Sequence, residues 1–295
     1  SIDATHTTKC KEGSRVTSCL FENMCDDGTN QNAVHGRVHA ITDNGDGTAT
    51  ITYKGNLSEY SYRNNKNWAP NGLCSPFVVG DRVYIYTAKG QLVCDTAALS
   101  ATVQGATETV TITESGIDHQ KSVTYYTVTV AVSAINFSAL DGYDMTDHRW
   151  EPEHKVLIDN MSMSSNGFLF DNTLVRNIRS RGLLIKASDA TIKNCSLINI
   201  GMGAVAIHYE IFWGESGVTE NLTVKDNLIQ HTGYFNNRDI YSPISILGLG
   251  SRPEQDYLLY QNIHITGNRI LDRTTDYAVY INSAKNITVE NNVFG

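Results

Sequence analysis

The sequence predicts an all-β protein: a right-handed parallel β-helix carrying a small antiparallel β-barrel as an insertion. Three observations lead there. A strand-like motif recurs at a near-constant spacing, the composition favours strands and turns, and one long stretch lacks the motif and alternates in the manner of hairpins.

The repeat is carried by Ser14–Phe21, Gly167–Leu174, Ala190–Leu197, Leu222–Ile229, Ile263–Ile270 and Ile287–Phe294. Each reads apolar, polar, apolar, two polar residues, a small or amide residue, then an apolar pair. The sixth position is Cys19, Asn172, Cys195, Asn227, Asn268 and Asn292, with intervals of 23, 32, 41 and 24 among the last five. A base period with insertions in some turns is the mark of a solenoid. Each coil then lays a short strand on each of about three faces, and the next coil stacks ~4.8 Å away through parallel pairing. Asparagine at a bend tolerates the left-handed conformation and can bond to its equivalent in the next coil. A sandwich with chance Asn-Asn turns would not keep six segments in phase.

Composition agrees. The 295 residues are 41% hydrophobic and 18% charged, with only 5 prolines and no long segment at helical period. A chain of this length buries a large core. Net charge is −8 without any lysine/arginine stripe, which argues against nucleic acid and anionic membrane surfaces as partners. No apolar run approaches the ~20 residues that span a bilayer. The six cysteines lack metal-site spacing and are expected as free thiols, Cys74 with Cys94 being the pair best placed to join. The repeat generates Asn-x-Ser/Thr triplets by itself, so those at Asn56, Asn136, Asn160, Asn194, Asn221 and Asn286 are weak evidence for glycosylation.

The motif is absent from 37–153. Gly36–Tyr53 reads as two alternating strands around Asn-Gly-Asp-Gly, a strong hairpin signal. Phe77–Tyr86, Thr107–Thr113 and Val123–Ser133 continue the pattern, so this stretch is expected as a barrel between two coils. Asp43–Gly47 resembles half a calcium loop but lacks the bidentate glutamate, which leaves a plain hairpin tip. The coils occupy 1–36 and 154–295. Neither end carries the polar cap that a solenoid needs, so further coils in a longer parent are expected.

Chemistry concentrates at Asp26-Asp27-Gly28. Asp3 lies 23 residues before Asp26, one coil away, so the three acids are expected to cluster on one face. Crowded carboxylates repel, and one raised pKa would leave a proton donor beside ionised partners. Glycoside hydrolysis needs that division, with carboxyls ~6.5–9.5 Å apart for inversion or ~5–5.5 Å for retention. A tight acidic turn or a calcium site is the structural alternative. Trp213 beside Glu215 offers an aromatic plate and a carboxylate for a sugar. Arg179 and Arg181 could hold acids ionised or bind hydroxyls, or be solvated charges. His6 and His35 are hydroxyl-binding candidates, although a lone histidine is more often structural. Ser216 has no matching His/Asp pattern for an acyl-enzyme.

At Asp3-Ala-Thr-His6, Cys10-Lys, Cys19–Met24, Asp26-Asp-Gly-Thr-Asn30, Val34-His-Gly36, Val79-Gly-Asp-Arg82, Arg179–Leu184 and Trp213–Gly217 the chain resembles glycoside hydrolase family 110, the β-helical α-1,3-galactosidases that include blood-group-B-cleaving enzymes. The resemblance implies a barrel inserted in a β-helix and inverting release of terminal α-galactose with no metal or other cofactor. It maps the catalytic acids onto Asp3, Asp26 and Asp27, with Asp26 as acid and Asp3 or Asp27 as base. It carries Glu215 over as a galactose or catalytic contact, beside Trp213, His35, Asn30, Arg179, Arg181 and His6 as the further substrate-binding candidates. The implied partner is a galactose-terminated glycan, a homo-oligomer is possible, and the expected setting is periplasmic or extracellular, of bacterial type. Two departures stand out: the family has a substantial portion before the position of Asp3, and Gln31-Asn-Ala33 intervenes before Val34-His-Gly36. The rival readings are a carbohydrate-binding or adhesive β-helix and a polysaccharide lyase.

Overall fold

A computed structural model describes residues 3–55, 74, 76–102, 105–114, 117–146, 155–210, 214–235, 242–248 and 260–295. Among these residues the protein is all-β. The helical pieces among the described residues are short 3-10 turns at Val132–Ala134, Phe137–Leu140 and Met161–Met163. The chain forms two compact units. One comprises Ser1–Asn32, Met163–Tyr209 and Gly217–Gly295, and the other Ala33–Ser162 and Glu210–Ser216.

The first unit is built from three parallel sheets that the chain visits in turn. The first sheet runs Thr5–Thr8, Thr29–Val34, Leu183–Ile185, Val205–His208, Ile244–Leu247, Val279–Ile281. The second runs Arg15–Thr17, Leu169–Asp171, Thr191–Lys193, Glu220–Lys225, Tyr260–Thr266, Ala284–Glu290. The third runs Leu20–Glu22, Leu174–Ile178, Ser196–Ile200, Leu228–Thr232, Arg269–Leu271, Val293–Phe294. Register stacks like on like. Val16, Phe170, Ile192, Val224 and Ile265 form one buried row, each side chain worth about 1.5–3 kcal/mol in burial.

The ladder is real, but one rung differs from the sequence alignment. Leu169 pairs with Thr191, so the residue in line with Cys195 is Thr173, not Asn172. Thr173 accepts from the Cys19 N–H through Oγ1 at 3.3 Å. Further along, Asn227 Oδ1 accepts from the Cys195 N–H at 2.9 Å, Asn268 Oδ1 from the Asn227 N–H at 3.1 Å, and Asn292 Oδ1 from the Asn268 N–H at 2.9 Å. Asn172 belongs to the preceding position, shared by Ser18, Asn194, Asp226, Gly267 and Asn291, where φ lies between 48° and 68°. Two adjacent positions thus divide the labour: one turns the chain, and the next ties coils together.

The second unit is antiparallel. Gly36–Asp43, Thr48–Lys54, Arg82–Thr87, Leu92–Ala97, Ser100–Ala101, Ala106–Glu114, Ile117–Ala131 and Val156–Asn160 form one sheet of eight strands. Its buried side chains include Ile51, Tyr53, Phe77, Val83, Ile85, Val128, Val130 and Ile158. The hairpin tip is closed by its own side chains: Asp43 Oδ1 accepts from the Gly45 N–H and Asp46 Oδ1 from the Thr48 N–H. All six cysteines are free thiols, and Cys74 and Cys94 both sit in this core. No helix among the described residues is long and apolar enough to cross a membrane.

Candidate active site

The acidic turn lies in the first unit, at the entrance to strand Thr29–Val34. It is wedged between two neighbouring segments. The Ala4 N–H donates to Asp27 O at 3.3 Å on one side, and the Gly28 N–H donates to Arg181 O at 3.0 Å on the other. Glycine is required at 28, because a Cβ there would lie 2.4 Å from Gly182 O. The sequence Asp-Asp-Gly therefore reflects close backbone packing as well as chemistry.

Thr5 pairs with Thr29, so consecutive coils are offset by 24 residues here. The offset stacks Asp3 on Asp27, not on Asp26, and the Asp27 N–H donates to Asp3 Oδ1 at 3.2 Å. Asp26 stands beside this pair. One oxygen from each of Asp3, Asp26 and Asp27 lies within 4.8 Å of the others.

The three carboxyls have different surroundings. Asp27 is 2% exposed, and Arg181 grips both of its oxygens, Nε to Oδ1 and Nη2 to Oδ2 at 2.9 Å each. The Arg181 N–H adds a third bond to Oδ1 at 3.0 Å. Burial pushes the Asp27 carboxyl above its ordinary range, and the Arg181 guanidinium pulls against that push. Asp3 is half-buried, and its Oδ2 meets His6 Nδ1 at 2.9 Å. Asp26 is half-buried. One carboxyl is raised, as the sequence suggests, but the group is Asp27 and the cause is burial, not repulsion by its acidic neighbours.

A polar network runs from the acids across the first sheet. His6 Nε2 meets Asn32 Nδ2 at 3.0 Å, and Asn32 Nδ2 donates to Asn30 Oδ1 at 3.1 Å. Buried Lys186 also reaches Asn30 Oδ1, at 3.4 Å. His208 holds Ser245 Oγ at 2.7 Å through Nε2. Burial, with the nearby Arg181 and Lys186 charges, pushes the His208 ring well below its ordinary value, so it is neutral. Lys186, His208 and Ser245 escaped the sequence reading. A charge or a lone histidine at a strand end carries no local signal, and only register brings them toward Asn30.

The candidates divide between the units. Asp3, His6, Asp26, Asp27, Asn30 and Arg181 come together in the first. Arg179 joins them, donating from Nε to Cys25 O at 2.9 Å. His35 and Glu215 lie in the second unit. The structure buries His35. Its ring is 0% exposed, and burial and Arg37 push its pKa down to about 3, so it offers no surface to a hydroxyl and serves the interior. Glu215 is buried on a short strand that pairs with Val34. Trp213 lies outside the described residues.

Three carboxylate oxygens this close could also bridge a divalent cation. The partner set points elsewhere. Arg181 already brings positive charge to both oxygens of Asp27, and His6 and the Asp27 N–H occupy those of Asp3.

Comparison with known proteins adds an independent line. No protein-family model matches the chain. Over 271 residues, 91% of this chain, it is 25% identical to a protein named alpha-1,3-galactosidase A from Shewanella woodyi. Over 125 residues, 42% of this chain, it is 30% identical to a protein of the same name from Akkermansia muciniphila. The matches span 36% and 19% of those proteins' lengths, so the chain corresponds to about a third or less of each. The chain is a distant relative of proteins named alpha-1,3-galactosidase A.

Proposed function

We propose that the protein is a glycoside hydrolase that removes terminal α-linked galactose from a glycan, with inversion, by means of Asp3, Asp26 and Asp27. The observation that carries this reading is the approach of the three carboxylates to within 4.8 Å of one another on adjoining coils. The resemblance to glycoside hydrolase family 110 and the distant galactosidase relatives supply the substrate class. The three-sheet stack reads as a right-handed parallel β-helix, with 37–153 as a barrel inserted between its coils.

The surroundings assign the roles. Both Asp27 oxygens are held by Arg181, whose positive charge opposes the burial that raises this carboxyl and gives Asp27 the part of the anion beside the developing oxocarbenium charge. Asp26 donates its proton to the glycosidic oxygen as the bond to the anomeric carbon breaks. Asp3, oriented by His6, takes a proton from the water that attacks the opposite face. His6 and Arg179 are exposed and meet sugar hydroxyls, while Asn30 and Lys186 hold the network beneath. Glu215 and Trp213 are kept as further galactose contacts. The 4.8 Å approach is a nearest-oxygen distance and lies closer to the ~5–5.5 Å spacing of retaining enzymes than to the ~6.5–9.5 Å of inverting ones, so inversion rests on the family resemblance and not on this spacing.

The test is proton NMR of α-1,3-galactobiose hydrolysis at early times. β-Galactose as the first anomer supports the mechanism. α-Galactose first would overturn inversion in favour of a covalent intermediate. No release from any α-galactoside, with binding retained, would favour the carbohydrate-binding alternative.

A further inference from the structure

Beside the acidic turn, the first unit displays two large aromatics to solvent. Phe235 is 55% exposed and Tyr234 is 43% exposed. They are not loose. The Gly233 N–H donates to Ile200 O and to Met202 O at 3.0 Å each, and the Phe235 N–H to Gly201 O at 2.8 Å. Gly201 permits this seat, since a Cβ there would lie 2.1 Å from Arg179 O and 3.3 Å from the Phe235 Cβ. Tyr234 stacks on His231, centroids 5.2 Å apart at 19°. Backbone bonds, a required glycine and a stacked neighbour hold apolar faces outward, and a side chain kept exposed in this way has a surface to offer.

The link to the acids is Arg179. Its guanidinium carbon lies 5.9 Å from the Phe235 ring centre, while its Nε donates to the carbonyl of Cys25, the residue before Asp26. One side chain therefore joins the aromatic turn to the catalytic turn. A pyranose carries C–H groups on one face and hydroxyls around its edge. An exposed aromatic ring with a guanidinium over one face matches both, the ring by stacking through its other face and the arginine by hydrogen bonds.

We infer that Phe235, flanked by Arg179 and Tyr234, forms the subsite for the leaving-group sugar, the residue to which the terminal galactose is attached. The inference rests on the hydrolytic reading above and adds to it a specificity for glycans over galactosides with small leaving groups. The acid at Asp26 must face the glycosidic oxygen, so the leaving sugar lies on its side of the turn. Arg179 holds the carbonyl of Cys25, the residue next to Asp26, and so ties Phe235 to the turn that carries that acid.

The experiment compares the full chain with Phe235→Ala and Phe235→Tyr on two substrates. α-1,3-Galactobiose has a sugar to stack, and α-galactosyl fluoride has none. Phe235→Ala is expected to raise KM for the disaccharide about tenfold while kcat/KM for the fluoride stays within about twofold, and Phe235→Tyr restores the disaccharide KM. Tenfold corresponds to about 1.4 kcal/mol, within reach of one aromatic contact. Equal loss on both substrates, or no change on either, overturns the subsite. Calorimetric titration of Asp26→Asn with the disaccharide, with and without Phe235→Ala, separates the two claims. Weakened binding without any turnover by the parent protein supports the platform and refutes hydrolysis, whereas unchanged binding refutes the platform whatever the turnover.

Discussion

Replacing Arg181 with methionine removes the partner of a buried carboxylate while keeping much of the side-chain volume. Asp27 is 2% exposed, and the Arg181 side chain 15%, so solvent screens the pair little. The substitution deletes the bonds from Nε and Nη2 and leaves those from the Arg181 N–H and the Ser180 side chain. Stranding one partner of a buried ion pair costs about 3–5 kcal/mol. The sign with pH follows from linkage. Burial already raises the Asp27 carboxyl, and losing Arg181 removes the pull that opposes it. The folded variant then holds the Asp27 proton more tightly than the unfolded chain, so its stability falls as pH rises above the unfolded value near 4. Urea unfolding followed by circular dichroism at pH 5 and pH 8 should show a deficit that grows at pH 8. In the Asp27→Asn background, Arg181→Met should cost far less, because no buried charge is left behind. A deficit under about 1 kcal/mol at pH 8, or an equal cost in both backgrounds, would refute the anchoring role given to this pair.

Two further outcomes follow from the same geometry. Asp159 is fully buried, with Tyr86 Oη donating to its Oδ2 at 3.0 Å, and burial raises its carboxyl to about 8 against a smaller opposing pull from Ser216. Between pH ~4 and that value the folded state keeps a proton that the unfolded state has released. Stability therefore declines by up to about 1.4 kcal/mol per pH unit across this window. Asp159→Asn should flatten that slope in urea titrations, and an unchanged slope would contradict it. Asn268→Ala removes the rung that accepts from both the Asn227 N–H and its Nδ2 and donates to Val224 O. With about 1–3 kcal/mol for each buried group stranded, a loss above ~2 kcal/mol is expected by chemical denaturation, and a loss near zero would deny the ladder its structural role.

Much of this was legible in the sequence, and the failures are instructive. Strand positions of the coils could be read because one buried face imposes strict alternation. The ladder slipped by one residue at 167–174 because Phe168, Leu169 and Phe170 are consecutive apolar residues and Asp171, Asn172 and Thr173 are consecutive polar ones. Only pairing of Leu169 with Thr191 fixes the phase. The acidic trio was visible as spacing, yet Asp3 stacks on Asp27 because the local coil holds 24 residues. That Arg181 could hold an acid ionised was legible, but not that its partner is Asp27, since 154 residues separate them. Lys186 and His208 look like solvated strand ends until the sheet register places them in its buried face. The burial of His35 could not be foreseen, because proximity to the acidic turn in sequence says nothing about exposure.

The most direct test of the central claim is the rate of galactose release by the full chain and by Asp26→Asn, with far-UV circular dichroism as a control for folding. The asparagine keeps the shape of the carboxyl and removes its proton. Removing a general acid costs typically 10²–10⁴-fold in rate. The account predicts a loss of that size with an unchanged spectrum. A well-folded Asp26→Asn protein that retains more than about a tenth of the parent rate would contradict it.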